Sequence, residues 1–502
     1  MNYPRDCGFP RITKYERSLL LLFALTLPLI NPWVRGDGVG YYAFARSLLI
    51  EHRLDFRQDW LRANTSFRMG RVDADDRIRP EEFTITGHLN NHFSIGPAIL
   101  WAPLLIAVHA GVLLYDRGGG KVAADGYSAP YLIAMALETA LYGFLALLIG
   151  FRLARKYVSE RWAFLATLGI WLGSSLPVYM SLNPSWSHAP SAFTVALFVW
   201  YWDRTRNGRA WPEWIALGAL GGLAMDVYYL NVVLFALPLM ESLALATAAA
   251  KGSVAGKLRP LFAQNALFAG AALAAFTPTL IVKKIIYGSF LNFGYTERWY
   301  WNSPAILRVG FSADHGLFSW TPIVLLAVVG IFLLHKYDRE LSLYSGAVFL
   351  GYLYLVGCYQ DWDGISSFGN RFFVSLTAIF VVGLAVFFDS LSRAWQGRYS
   401  GSLASGVTAI FILWNLGLIF QWGTHIIPAR GPVSWRVAAY NQVAVVPRQA
   451  EGVIRGYLTR RGALMDRIEE QDVDQLKADR PEGAGQGPVQ GTAQGMEQGS
   501  DQ

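Results

Sequence analysis

Apolar runs near the 20 residues that a helix needs to cross a bilayer recur along the chain, parted by short polar turns. They fall at about 18–34, 128–151, 162–182, 189–202, 213–229, 231–249, 262–286, 317–334, 341–360, 372–389 and 403–421. Lys and Arg gather in every second turn: Arg152, Arg155, Lys156 and Arg161; Arg204, Arg206 and Arg209; Lys251, Lys257 and Arg259; Lys336 and Arg339; Arg393 and Arg398. The turns at 183–188 and near 230 carry neither. Because inner-face loops collect basic residues, the alternation predicts an all-α integral membrane protein of about eleven spans, its C-terminus on the outer side. Arg5, Arg11, Lys14 and Arg17 precede the first run and put the N-terminus in the cytoplasm. A cleaved leader fits less well, since Pro28, Asn31 and Pro32 stand where small residues would be needed.

On this topology residues 35–127 form a long first outer loop whose middle, 57–91, is polar and charged. Residues 93–115 are long enough to span. Pro97 and Pro103 interrupt them, and a crossing there would send the basic 152–161 turn outward. The expectation is therefore a re-entrant or interfacial helix. Residues 433–458 are amphipathic and suit the interface. From 463 the chain turns to Gly, Gln, Asp and Glu, a composition that cannot bury enough apolar surface to order itself. The division is a membrane domain, 1–462, and a disordered tail, 463–502, with no catalytic part.

Composition agrees. Of 502 residues 53% are hydrophobic and only 16% charged, against roughly 25% charged in soluble domains. The net charge of +7 is scattered over short loops with no continuous basic face, which argues against nucleic acid as a partner. Eighteen Trp and 24 Tyr suit interfacial belts. Cys7 and Cys358 are placed on opposite sides of the membrane, so neither a disulfide nor a cysteine metal site is expected. No P-loop, dinucleotide-binding or zinc-protease string occurs; the Gly-rich stretch at 116–122 lacks the spacing and the Ser or Thr after Lys121.

The unusual polar residues all fall on the outer side. Asp37 follows the first apolar run at once, between Gly36 and Gly38, and leads into an amphipathic segment with Tyr41, Tyr42, Phe44, Leu48 and Leu49. A carboxylate at the mouth of a span is costly and usually functional; the competing role is a helix cap. His92 lies ahead of the 93–115 run. His188 opens a span beside Trp186, Asp314 and His315 precede another, and Asp361, Asp363, Asn370 and Arg371 precede a third. His188 suits proton carriage or ligation, with a core histidine as the alternative. Asp314 and His315 suit a phosphate at a helix start, or an N-cap. Asp361 and Asp363, with Asp37, are the candidates for holding a divalent cation. Arg371 suits a lipid phosphate, with snorkelling as the alternative. Lys283, Lys284 and Arg298 flank the 287–316 loop as further phosphate candidates.

The string GDGVGYYAFARSLL at 36–49 resembles the D-x-x-x-Y-x-x-x-A-R/E-x-L pattern of polytopic glycosyltransferases of the GT-C superfamily. That group includes the protein O-mannosyltransferases and the aminoarabinose transferases of lipid A. The stretches at 315–326 and 367–380 look like late-loop motifs of bacterial GT-C-type proteins. HFSIGPAILWAPL at 92–104 is similar to the O-mannosyltransferase H-P-P-L-G-K helix but lacks its paired prolines and its Lys.

The resemblance implies a GT-C-like fold of eleven spans in a bacterial inner membrane, with an essential Asp in the first periplasmic loop. It implies a transferase that moves a sugar from a polyprenyl-phosphate-linked donor to an envelope glycan, lipid or protein acceptor at the periplasmic face. Asp37 would be catalytic. Tyr41, His92, His188, Asp314, His315, Asp361 and Arg371 would bind substrate. Inversion at the anomeric carbon is implied by the resemblance alone. No cofactor is required by it, and a divalent metal stays an open option because family members differ. The alternatives are a transporter or flippase of a lipid-linked glycan, which should show internal repeats and midplane sites, and a non-catalytic lipid- or glycan-binding membrane protein.

Overall fold

The computed structural model describes residues 12–206, 208–250, 255–395 and 400–478. Arg5, Cys7, Arg11, Lys251, Arg398 and the tail from 479 lie outside the described residues. Among the described residues, sixteen helices of ten or more residues carry the fold: α1 Lys14–Thr26, α2 Asp37–Arg46, α3 Gly96–Arg117, α4 Ala129–Ala154, α5 Glu160–Gly173, α6 His188–Thr205, α7 Trp211–Val227, α8 Ala236–Ala250, α9 Ala255–Tyr287, α10 Ile323–Leu333, α11 Arg339–Cys358, α12 Thr377–Ala394, α13 Ser400–Gly423, α14 Trp435–Ala444, α15 Val446–Thr459 and α16 Arg461–Ala478. Short helical turns fill the connections. The only extended pairing among the described residues is a few isolated bridges.

Among the described residues, seven helical stretches are long and apolar enough to cross a membrane. Six coincide with expected spans: Ala129–Ala154, Tyr229–Thr247, Leu261–Tyr287, Arg339–Cys358, Arg371–Ala394 and Gly401–Gly423. The seventh is Gly96–Arg117, which the sequence reading makes a re-entrant or interfacial helix. It is one continuous helix of 22 residues. Pro97 stands in its first turn, where no N–H is needed, so only Pro103 sits in the interior. The other five expected spans are shorter or more polar. They stop where the chain unwinds, at 27–36, 174–187, 206–210, 228–235 and 312–322.

The 371–394 stretch is the axis of the bundle and is almost wholly buried. α10 packs along α12, and α4 and α5 also lean on it. Small residues make the closest crossings. A Cβ on Gly383 would stand 2.2 Å from the Ala327 carbonyl oxygen, and one on Gly218 or Gly222 would stand 2.2 Å from a carbonyl oxygen of α9. Such crossings supply packing where the hydrophobic effect is weak. On the expected cytoplasmic side, Thr13 and Glu16 form a reciprocal cap on α1. Buried Glu16 also accepts from Arg152 Nε at 2.7 Å, tying α1 to α4.

One further expectation changes. Residues 463–478 are not a disordered tail but most of α16. This mostly polar helix is held by contacts to the segment around Arg35, Asn64 and Ser66. The amphipathic 433–458 segment forms α14 and α15.

Candidate active site

The connections 27–36, 174–187, 228–235, 312–322 and 359–376, where bends and short 3-10, α and π turns replace long α-helix, gather about the N-terminus of α2. Gly36 has φ +53°, a conformation open to glycine, and turns the chain so that α2 starts at Asp37. A Cβ on Gly38 would fall 1.9 Å from Ser185 Oγ, and one on Gly40 would fall 1.9 Å from the Phe93 ring. The glycines of GDGVG thus let α2 press against the 183–188 turn on one side and the 90–95 loop on the other.

Asp37 Oδ2 accepts a 2.8 Å ion-paired bond from Arg371 Nη1. The Asp37 side chain is 30% exposed and that of Arg371 13%. Asp37 is therefore more than a first-turn acid for the α2 dipole, and Arg371 is held inside the fold, not snorkelled to its edge. The Arg371 guanidinium lies over the Trp186 ring, 4.6 Å from its centroid. Tyr179, Tyr228 and Tyr41 lie within electrostatic reach of it.

His188 is fully enclosed beside this pair. Tyr179 meets it edge-on at 4.8 Å, Tyr228 at 5.4 Å, and Trp186 lies at 6.0 Å. His188 Nδ1, Asn370 Oδ1 and Arg371 Nε are buried without a hydrogen-bond partner. Buried polar atoms are almost always paired, so three orphans around one ion pair mark a polar, incompletely satisfied centre. Ile365, in the same 359–370 loop, has φ +64°. That is costly for a β-branched residue, and such strain gathers at functional sites.

Other residues named from the sequence sit at graded distances. Tyr41 is buried one turn along α2 against Phe93, ring centroids 4.9 Å apart. His92 packs on the other side, 4.2 Å from Phe93 and 5.0 Å from Tyr295. Burial first, then the charges of Lys283 and Arg71, push His92 down to about 3, so it stays neutral. His315 stacks on Trp320 at 4.8 Å and is pushed down to about 4 by burial and by Arg371. Asp314 Oδ1 lies 3.6 Å from His315 Nε2.

Asp314 caps nothing. The short Leu317–Trp320 turn that follows has Gly316 at its N-cap. Burial and neighbouring Asp363 raise Asp314 to about 6. Asp361 is likewise raised to about 6 by burial and by Glu297 and Asp363. Among the described residues no group of three or more His, Cys, Asp or Glu is placed to hold a metal ion, and Asp37 is committed to Arg371.

Lys283 is not a free phosphate ligand. It is 1% exposed and donates 3.0 Å bonds to the carbonyls of Asn91 and Phe93. Lys284 donates to the Gly288 carbonyl at the end of α9. Both close the 90–93 loop and the helix end.

No family model matches the chain, and no curated protein matches it. Solved structures do. The chain is similar to ArnT from Cupriavidus metallidurans bound to undecaprenyl phosphate, with 15% identity over 92% of this chain and 78% of that one, TM-score 0.45. To the same protein in the apo state it is 15% identical over 91% and 78%, TM-score 0.46. To the archaeal oligosaccharyltransferase AglB from Archaeoglobus fulgidus, in complex with an inhibitory peptide and a dolichol-phosphate, it is 13% identical over 96% and 62%, TM-score 0.43.

Two features of the site escaped the sequence reading. Tyr179 and Tyr228 wall the Arg371 side, yet each lies in an apolar run and looks like core. Arg46 makes a two-point bond to Asp59, both contacts 2.6 Å, and pairs with Glu51 at 2.8 Å. Tyr127 donates to the same Asp59 at 2.8 Å. This buried network pins α2 to the rest of the 35–127 segment. An Arg and an Asp thirteen positions apart, with a Tyr at 127, leave no pattern that spacing alone detects.

Proposed function

We propose that this chain is an integral-membrane glycosyltransferase that moves a sugar from a polyprenyl-phosphate-linked donor to an acceptor at the outer face of the membrane. One observation carries the reading: the Asp37–Arg371 pair, set among orphaned buried polar atoms where five irregular connections gather. The sequence resemblance of residues 36–49 points the same way.

The pair supplies what the chemistry needs. Asp37 takes the proton of the acceptor hydroxyl as that oxygen bonds to the anomeric carbon. The bond from the anomeric carbon to the donor phosphate breaks, and its electrons go to the phosphate oxygen. Arg371 offsets the charge that grows there. A guanidinium has five donors in a fixed fork; one is on Asp37, so the same group can hold base and phosphate at a set separation. His188, kept from solvent by Trp186, Tyr179 and Tyr228, lines the same centre. A divalent cation is not required, because Arg371 already supplies the positive charge.

The test is purified protein in lipid nanodiscs with a panel of polyprenyl-phosphate-linked hexoses and pentoses. Release of polyprenyl phosphate coupled to glycosylation of the acceptor, lost in Asp37→Asn, supports the reading. Movement of the intact donor between leaflets without cleavage overturns it in favour of a flippase.

A further inference from the structure

The last described helix, α16, does not trail off into solvent. It lies on the segment that leads into Asp37. Arg461 donates from Nη1 to the Ile30 carbonyl at 2.6 Å and from Nη2 to the Pro28 carbonyl at 2.7 Å. Tyr457, at the end of α15, donates to the Leu29 carbonyl at 2.8 Å. These are carbonyls at the frayed end of the first helix, where helical partners run out. Further along, Asn31 donates to the Met465 sulfur at 3.3 Å. Asp472 pairs with Arg35 and accepts from His425 Nε2 at 2.9 Å. Glu469 accepts from Asn64 Nδ2 at 3.0 Å and from the Ser66 amide at 2.6 Å.

The last two contacts reach the site. Asn64, held by Glu469, accepts the Gly36 amide on its own Oδ1 at 3.3 Å. Arg35, held by Asp472, accepts the Trp186 indole N–H on its carbonyl at 3.0 Å. Trp186 is the ring on which Arg371 lies. Two short chains of bonds therefore run from one face of α16 to the residues on either side of the Asp37–Arg371 pair. Side chains of Arg35 and Asp472 are 19% and 16% exposed, so the pair is shielded enough to hold its geometry.

We infer that α16 is a strap that fixes the catalytic carboxylate, with Glu469 and Asp472 as positioning residues for Asp37. The inference rests on the proposed transferase reading for its effect on turnover, but not for its effect on structure. A loop that must pass through φ +53° at Gly36 has no helix or strand of its own to hold it. The strap supplies the missing constraint. A displacement of about 1 Å at a reacting group costs up to roughly 100-fold in rate.

The experiment uses the full chain in nanodiscs and two readouts. Hydrogen exchange is followed in residues 33–40 and in α12 as a control for the fold, and turnover is measured on the polyprenyl-phosphate-linked sugar panel. Glu469→Ala and Asp472→Arg should each speed exchange in 33–40 while leaving α12 unchanged. Each should lower kcat about tenfold or more, with KM changed less than about twofold. Asp474→Ala, on the same helix but 80% exposed, should match the unaltered protein in both.

Asp472→Arg combined with Arg35→Glu should recover exchange and turnover, which a lost surface charge would not do. Exchange in 33–40 that is unchanged, or raised equally in α12, overturns the strap. Should the unaltered protein transfer no sugar, the transferase reading fails alone, and the exchange data still decide the strap.

Discussion

Asp37 and Arg371 stand 334 positions apart in the chain and meet at 2.8 Å. Each was a candidate on separate grounds, one as a base and one as a phosphate ligand, and neither motif contains a hint of the other. Their contact turns two local patterns into one centre and gives the two residues separable roles.

Asp37→Asn keeps the shape of the side chain and removes the proton acceptor. Turnover should fall by about 10²- to 10⁴-fold, while binding of polyprenyl phosphate persists because Arg371 remains. Arg371→Lys keeps one charge but loses the fork and the stacking on Trp186. It should weaken polyprenyl phosphate binding by about tenfold or more, the scale of a charge-assisted hydrogen bond. Calorimetric binding and turnover measured on the same preparations check both. Equal loss of binding in the two variants would refute the division of labour.

Gly38→Ala should damage the site without touching a charge. Its Cβ would fall 1.9 Å from Ser185 Oγ and 2.6 Å from Ser185 Cβ. Overpacking of this kind costs about 1–3 kcal/mol, and relief by tilting α2 would swing Asp37 away from Arg371. Adding Ser185→Gly removes the obstacle, so the double variant should regain most of the lost turnover. A double variant as poor as the single one would show that the close approach is not what the glycine serves.

How far the sequence carried this picture follows from which forces leave a linear trace. Hydrophobic runs and basic turns do, so the long helices at 129–154, 261–287 and 371–394 were legible. Polar and charged groups stand out against an apolar background, so Asp37, His188 and Arg371 drew notice from the sequence, and the structure brings them together. Tyr179 and Tyr228 were not, since a tyrosine facing a site and one facing a lipid look alike in sequence. α16 was misread because composition reports what a segment can bury alone. Its order comes from Arg35, Asn64 and His425, all distant in the chain. The 96–117 helix was legible as a helix, and its Pro97 opens the first turn instead of interrupting it.

Lys283 offers a test of the corrected part. The sequence reading makes it a phosphate ligand, whereas the structure spends it on two carbonyls of the 90–93 loop. Lys283→Met should fill nearly the same space and leave the carbonyls of Asn91 and Phe93 without a donor. Each orphaned group costs about 1–3 kcal/mol, so the melting temperature should drop while polyprenyl phosphate affinity is nearly unchanged. Loss of affinity with no loss of stability would restore the phosphate role.

The acidic rim gives the pH dependence a sign. Burial, then Glu297 and Asp363, raise Asp361 to about 6, against the pull of Arg371. The fold thus favours the protonated form, and ionising Asp361 costs stability above pH 6 that is recovered as the pH falls through 6 toward the ordinary carboxylate range. For a phosphate approaching Arg371 the consequence is direct. At pH 7 Asp361 is mostly charged and repels it; at pH 5.5 it is mostly neutral.

Affinity for a phosphodiester probe, whose charge is constant over this range, should therefore tighten by about fivefold between those values, the order of 1 kcal/mol that unit charges several Å apart exert in a wetted setting. Asp314, also near 6, adds in the same direction. Asp361→Asn should bind at pH 7 nearly as tightly as the unaltered protein does at pH 5.5, and should lose most of the pH response. Part of any response belongs to the phosphate's own second ionisation near pH 6, which weakens attraction to Arg371 on acidification and so opposes the rim. A phosphodiester probe, which has no second ionisation, isolates the protein's share, and a flat profile with that probe would remove Asp361 and Asp314 from the account of donor binding.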